Sequence, residues 1–293
     1  MHLFEWLYFL APYQFSPTIT VTTIVVPGLY LRGLRAARLA GRPVSGGRRV
    51  CFLTGFFLCY AVMHTRFDYY AQYLFFMHRL QHLVLHHAGP FLMAVAAPWQ
   101  TLALGVPARV RERWLRPCWL NPVTQGIYRF LQNPVVAPVL FVGLIYFWLT
   151  PAVHFDAMLD LTLYHVMNWS MVLDGLLFWW LMLNPQARGG TTVLGYGVRI
   201  VILFVIMLPQ IVIGAYIALS GKDLYPIYSV CGRAWPIAAS TDQQLGGLLT
   251  WIPAAMMSVL GILVVIKLMM KRDRQVHANL VGSQEFGASG SGR

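Results

Sequence analysis

Apolar runs about 20 residues long recur along this chain, and the arginines between them crowd into every second gap. A helix of that length crosses a bilayer, and inside hydrocarbon only helices and closed barrels satisfy their own backbone. Seven runs are placed, at residues 17–36, 50–66, 72–98, 132–150, 157–183, 196–220 and 244–269. Arg32, Arg35, Arg38, Arg42, Arg48 and Arg49 gather at the first junction, and Arg109, Arg111, Arg113, Arg116 and Arg129 at the third. Arg188 and Arg199 follow at the fifth, and Lys271, Arg272 and Arg274 after the last run. The alternate junctions hold little more than Arg66, Lys222 and Arg233. Positive loops stay on the cytoplasmic side, so the chain is expected to be an all-α membrane protein of seven transmembrane helices, N-terminus outside and C-terminus cytoplasmic.

Composition supports this class. With 58% hydrophobic residues, 11% charged residues and a mean hydropathy of +0.59, the chain excludes an ordinary soluble domain. The net charge of +12 is carried by arginines at apolar boundaries, where anionic headgroups rather than nucleic acid are the partner. Cys51, Cys59, Cys118 and Cys231 form no C-x-x-C pair, so no thiolate clip is expected. The opening MHLFEWLYFLAPYQF has no basic leader and is not read as a removable signal peptide. One membrane domain is expected over 1–275, followed by a polar, disordered tail at 276–293 that reads as a linker or expression scar.

Within the third run, FFMHRLQHLVLHHAGP places His78, His82 and His86 four residues apart. A step of four advances about 40° around a helix, so the three imidazoles form one stripe. Such a stripe faces a bundle interior and is a functional candidate. Counting about 1.5 Å per residue from the outer end puts His78 about 12 Å deep, His82 about 18 Å and His165 of the fifth run about 15 Å. The last two are placed to share a ligand. His64 closes the second run. Met63, Met77 and Met158 adjoin the polar residues, and imidazole with thioether is a ligand set that suits copper, although each Met taken alone reads first as core filler. His154 and Asp156 are placed in the loop before the fifth run, with Asp160 one turn inside it. His86, His87 and His154 read individually as hydrogen-bonded interior histidines, Asp242 equally as a helix cap or a functional group, and Asp174 as a partner for Arg79 or another buried group. Pro27, Pro138, Pro209 and Pro253 are expected to bend their helices, and Gly246 with Gly247 to permit close helix approach.

The stretch FDYYAQYLFFMHRLQHLVL, with the turn AAPWQTLALGVP after it, resembles the second-to-third-span region of CtaG-type cytochrome c oxidase assembly factors. HFDAMLDLTLYHVMNWSMVLDGLLFWW, LPQIVIGAYIALSGKDLYPIY and STDQQLGGLLTWIP extend the resemblance from about residue 18 to 272, the DQQLGG block being its most specific piece. The resemblance implies a seven-span bacterial inner-membrane protein linked to copper-dependent maturation of haem-copper oxidases. By position it carries the paired imidazoles of the family's third span onto His78 and His82. Its fifth-span H-x-x-E-H falls on His165, with Asn168 and Trp169 in place of the glutamate and second histidine, and Trp169 cannot ligate a metal.

The expected function is therefore non-enzymatic: transient holding of a copper ion near the periplasmic face for delivery to the oxidase. His78, His82 and His165 form the deeper site, and Met77 and His64 the entry ligands. Expected partners are oxidase subunits and periplasmic copper chaperones within the lipid bilayer; the sequence sets no oligomeric state. Two alternatives stay open: a redox protein holding haem b between histidines of different spans, and a metal-free scaffold for assembly intermediates. A retinal receptor is excluded, since Lys222, Lys267 and Lys271 all lie away from the middle of the seventh run.

Overall fold

A computed structural model describes the backbone of residues 11–184, 188–189 and 192–290, and side chains for 11–184 and 194–277. The N-terminal leader reading, the Arg188 side chain and the tail side chains beyond His277 lie outside the described residues. The architecture is all-α apart from a two-residue antiparallel pair, Arg188–Gly189 with Thr192–Val193.

In chain order the helices are α1 (Pro17–Leu39), α2 (Gly46–His64), α3 (Arg66–Tyr73), α4 (Phe75–Leu83), α5 (Gly89–Ala96), α6 (Trp99–Gly105), α7 (Ala108–Val110), α8 (Arg116–Leu120) and α9 (Pro122–Leu131). They continue as α10 (Val136–Leu149), α11 (Pro151–Leu159), α12 (Leu161–Leu183), α13 (Tyr196–Leu219), α14 (Ile227–Val230) and α15 (Ala239–Gly290). Three of them, α12, α13 and α15, are long and apolar enough to cross a membrane alone. Two bent pairs, α2 with α3 at 58° and α9 with α10 at 70°, raise the number to five if each pair is one crossing. The chain is a multi-pass membrane protein. Two expected spans miss this count for a chemical reason. Helix α1 carries four threonines and three arginines in 23 residues, and the third run carries its histidines and is broken.

The break has a local cause. Pro90 has no N–H to give the carbonyl of His86 four residues earlier, and the backbone loosens into a π-turn over Val84–Ala88 just before it. The indole Nε1–H of Trp179 on α12 donates instead to the His86 carbonyl at 3.2 Å. Gly175, one turn earlier on α12, leaves room for this approach, because a Cβ there would meet the His86 carbonyl.

Packing places α4 and the π-turn centrally. Helix α15 runs along α13 and touches α4; α5 packs on α2, and α12 closes on α5 and the π-turn. The small residues expected to allow close approach do so: Gly247 meets the backbone at Ala218, and Gly246 seats the ring of Phe75. Beneath the histidine stripe lies an aromatic core in which Phe141 stacks on Phe178 and on His86, each at 4.0 Å.

Two expectations change. Arg199, read as a loop arginine, is fully buried at the start of α13. Its guanidinium donates to the carbonyls of Met182, Asn184 and Leu194 at 3.1, 2.6 and 3.1 Å, serving backbone groups that the end of α12 leaves open. The stretch holding His154 and Asp156 is the helix α11, not a loop. Asp160 stands at its end and caps α12, accepting from the Leu163 N–H at 2.9 Å.

Candidate polar site in the bundle interior

The interior of α4 is polar on one face and fully enclosed: His78, Arg79, Gln81 and His82 are all buried. Polar side chains buried inside a membrane bundle must find protein partners. Three groups of partners do so.

The first surrounds Asp68 on α3. Its carboxylate accepts from Gln81 Nε2 at 2.8 Å, Gln72 Nε2 at 2.8 Å and the Tyr164 hydroxyl at 2.7 Å. Gln81 Nε2 also donates to the Val62 carbonyl at 2.7 Å. Asp68 thereby joins three helices, and Gln81 adds α2 as a fourth.

The second surrounds His82. Arg79 Nη1 lies 3.4 Å from its Nδ1, and its Nε2 lies 3.2 Å from Asn168 Oδ1. A guanidinium only donates, so Nδ1 accepts and Nε2 carries the proton given to Asn168. The same guanidinium donates from Nε to Thr250 Oγ1 on α15 at 3.0 Å, and Thr250 donates to the Gly246 carbonyl. Asn168 also interacts with the Tyr164 hydroxyl, which links this group to the first.

The third holds His154. Its Nδ1 is 3.1 Å from the Trp148 carbonyl and its Nε2 is 3.0 Å from the Tyr228 hydroxyl. A carbonyl only accepts, so Nδ1 donates and Nε2 receives the tyrosine proton. This bears out the reading of His154 as an interior hydrogen-bonding residue. His86 behaves likewise, its Nε2 standing 2.9 Å from Asp174. Asp174 therefore pairs with His86 and not with Arg79, because one turn of α4 places the arginine toward α15 and Thr250 instead.

His78 stands between these groups without joining them. Its ring centroid is 4.3 Å from that of His82 and 5.0 Å from that of His154. Neither ring nitrogen has a hydrogen-bond partner, although the Ala71 backbone is nearby. Buried polar groups are nearly always satisfied. His64, at the end of α2, is buried and also lacks partners on both nitrogens, close to the Gln14 backbone and against the ring of Tyr60 at 5.5 Å.

The five ligand candidates are thus dispersed. His78 and His82 meet; His165 lies on the flank of α12, half-exposed, its ring contact being with neighbouring Tyr164. The inward face of α12 is instead presented by Tyr164 and Asn168, one turn apart. Met77 is half-buried, about 100° around α4 from its neighbour His78, and His64 sits at the end of α2. Among the described residues no three His, Cys, Asp or Glu side chains are placed to share a metal ion. A small cavity of about 10 Å³ touches Arg79, His82, His86, His87 and Thr250, room for about one water. The apolar cleft between α1, α2 and α12, about 380 Å³ and lined by residues such as Phe56, Met93 and Trp180, has no histidine in its lining.

Sequence reasoning missed Asp68, Gln81, Tyr164, Thr250 and the role of Arg79. Gln81 is three residues from His78, and so on its face. That spacing was the available signal. The motif around Asp242 is structural. Its carboxylate caps α4 rather than its own helix, and Gln243 ties down residues 217–224, donating to the carbonyls of Ile217 and Lys222 and accepting from the Leu224 N–H.

Comparison with known proteins accords with this arrangement of motifs. The family description "cytochrome c oxidase caa3 assembly factor" matches residues 28–272. An uncharacterized protein of Mycobacterium leprae is 30% identical over 286 residues, covering 92% of this chain and 40% of that protein. One from Mycobacterium bovis is 28% identical, covering 91% and 40%. The chain therefore spans about two fifths of the length of the curated relatives it matches. No solved structure matches it. The chain belongs to the caa3-type cytochrome c oxidase assembly factor family.

Proposed function

We propose that this protein serves the assembly of a haem-copper oxidase as a multi-pass membrane scaffold that holds oxidase subunits during maturation, without chemistry of its own. Its bundle crosses the inner membrane seven times with the N-terminus outside. In that reading α1, α2, the π-broken histidine helix and α10 join the three crossings that length and composition support alone.

One observation carries the scaffold reading over the carrier reading: the Arg79 guanidinium sits at Nδ1 of His82. A copper ion on that nitrogen would stand beside a fixed positive charge, and like charges about 4 Å apart cost about 4 kcal/mol at an effective dielectric of 20. The other nitrogen of His82 is engaged by Asn168, and both nitrogens of His154 are engaged. These imidazoles are bonded as interior struts.

A second reading, copper held transiently for delivery with periplasmic chaperones as donors, is favoured by the unpartnered nitrogens of His78. In it His78 is the first ligand, and His82 joins only when Arg79 swings away; His165, Met77 and His64 contribute no shared shell. Copper per purified chain, compared with a His78→Ala/His82→Ala variant and read beside oxidase activity in a complemented deletion strain, separates the two. The scaffold reading expects equal copper and restored activity. Loss of both overturns it. A Soret band in the purified chain would instead establish the haem b alternative.

A further inference from the structure

The segment from Ala108 to Leu131 joins two crossings, yet it is built unlike a loop. A π-turn over Arg111–Leu115 connects α7 to α8, α9 follows directly, and Trp119 meets Tyr128 edge-on at 5.1 Å, which folds the piece back on itself. Its large apolar side chains point outward: Trp114, Trp119, Val123, Ile127 and Phe130 are each more than half exposed. On α9, Val123, Ile127 and Phe130 recur at helical spacing and form one stripe. Such a patch on a water-facing surface would be costly.

The charge on the segment is one-sided. Arg109, Arg111, Arg113, Arg116 and Arg129 stand against a single acid, Glu112. Arg116 and Arg111 bind that carboxylate at 3.1 and 3.2 Å and hold it below the usual carboxylate range. Arg109 and Arg113 have no acidic partner among the described residues. The 70° bend between α9 and α10 turns α9 away from the crossing that follows. An apolar stripe on α9, with exposed tryptophan and arginine interleaved in the turns before it, is the composition of a segment lying in the headgroup plane.

We propose that residues 108–131 are an anionic-lipid docking segment, seated in the membrane interface beside the bundle, its Trp, Val, Ile and Phe side chains entering the acyl boundary and its arginines binding phosphoglycerol-type headgroups. The occupant is the bilayer surface, not an oxidase subunit.

The test uses the full chain in nanodiscs containing lipids brominated on their acyl chains. The chain has ten tryptophans, so the signal is the fluorescence difference between it and a Trp114→Phe/Trp119→Phe variant. Brominated phosphatidylglycerol is expected to quench that difference at least twofold more than brominated phosphatidylcholine at equal mole fraction. The preference should disappear when the five arginines are changed to glutamine. On the unmodified chain it should also disappear in 1 M salt, where the Debye length is about 3 Å, so the outcome does not hang on the variant's folding. Equal quenching by both lipids in the native chain would overturn the headgroup recognition. Quenching by neither would place the segment against protein or water and overturn the whole proposal.

Discussion

The carboxylate of Asp242 receives the backbone N–H groups of Phe75 and Phe76 at 3.2 and 2.9 Å, so the first turn of α15 caps the helix that carries His78 and His82. Helix α4 begins abruptly after extended Leu74 and has no cap of its own. A long-range carboxylate therefore does what a local serine or aspartate usually does. Arg233 completes the arrangement, donating to Asp242 Oδ2 at 3.0 Å.

Replacing Asp242 with alanine should lower stability by about 2 kcal/mol, since a cap is lost and buried N–H groups are left open. Asp242→Asn should cost less, because one oxygen still accepts. Arg233→Ala should cost least of the three, since Asp242 still accepts from both N–H groups. Thermal unfolding in detergent, with the three variants in that order, checks the ranking.

His78 and His154 should respond in opposite directions. His78 makes no hydrogen bond, so His78→Leu should be neutral or stabilising by about 1 kcal/mol, the usual gain from removing an unsatisfied buried polar atom. His154→Leu strips partners from Tyr228 and the Trp148 carbonyl and should cost about 2–3 kcal/mol. The same unfolding assay reads both. A destabilised His78→Leu would mean that its nitrogens are bonded after all.

Trp179 and Pro90 should be coupled. Trp179→Phe leaves the His86 carbonyl without a donor and should cost about 2 kcal/mol or more, from the lost bond and lost packing. Pro90→Ala restores a backbone N–H to the same carbonyl, so in the double variant part of that loss should be recovered. A double-mutant cycle with no interaction energy would contradict the account of the π-turn.

Arg199→Ala should destabilise the junction of α12 and α13 by about 3 kcal/mol, because three backbone carbonyls lose a charged donor. Arg199→Lys should recover only part, one ammonium being unable to reproduce the planar fork. Limited proteolysis between residues 184 and 195, faster in the alanine variant, gives the local readout.

Asn168→Asp brings a carboxylate to His82 and Arg79. The negative charge should offset the guanidinium and raise copper retained per chain, if measured after loading with cuprous ion, above that of the native chain. Unchanged copper would leave the histidines as struts even with the charge balanced.

Much of this was determined by the sequence alone. Apolar runs and arginine spacing specify a helical multi-pass membrane protein, the four-residue spacing of His78, His82 and His86 specifies one buried face, and the DQQLGG block specifies the family. Depth counting gives His82 and His165 comparable depths as an expectation. What it could not supply was rotation about the axis of α12: Tyr164 and His165 are successive residues about 100° apart, and packing against the π-turn turns the first inward. Only the tertiary structure decided that Asn168 meets His82, that Asp174 takes His86 and leaves Arg79 to Thr250, and that Asp242 caps a helix 166 residues away. Those choices depend on which helices touch and at what angle, and side-chain contacts between distant segments leave no period in the chain to read.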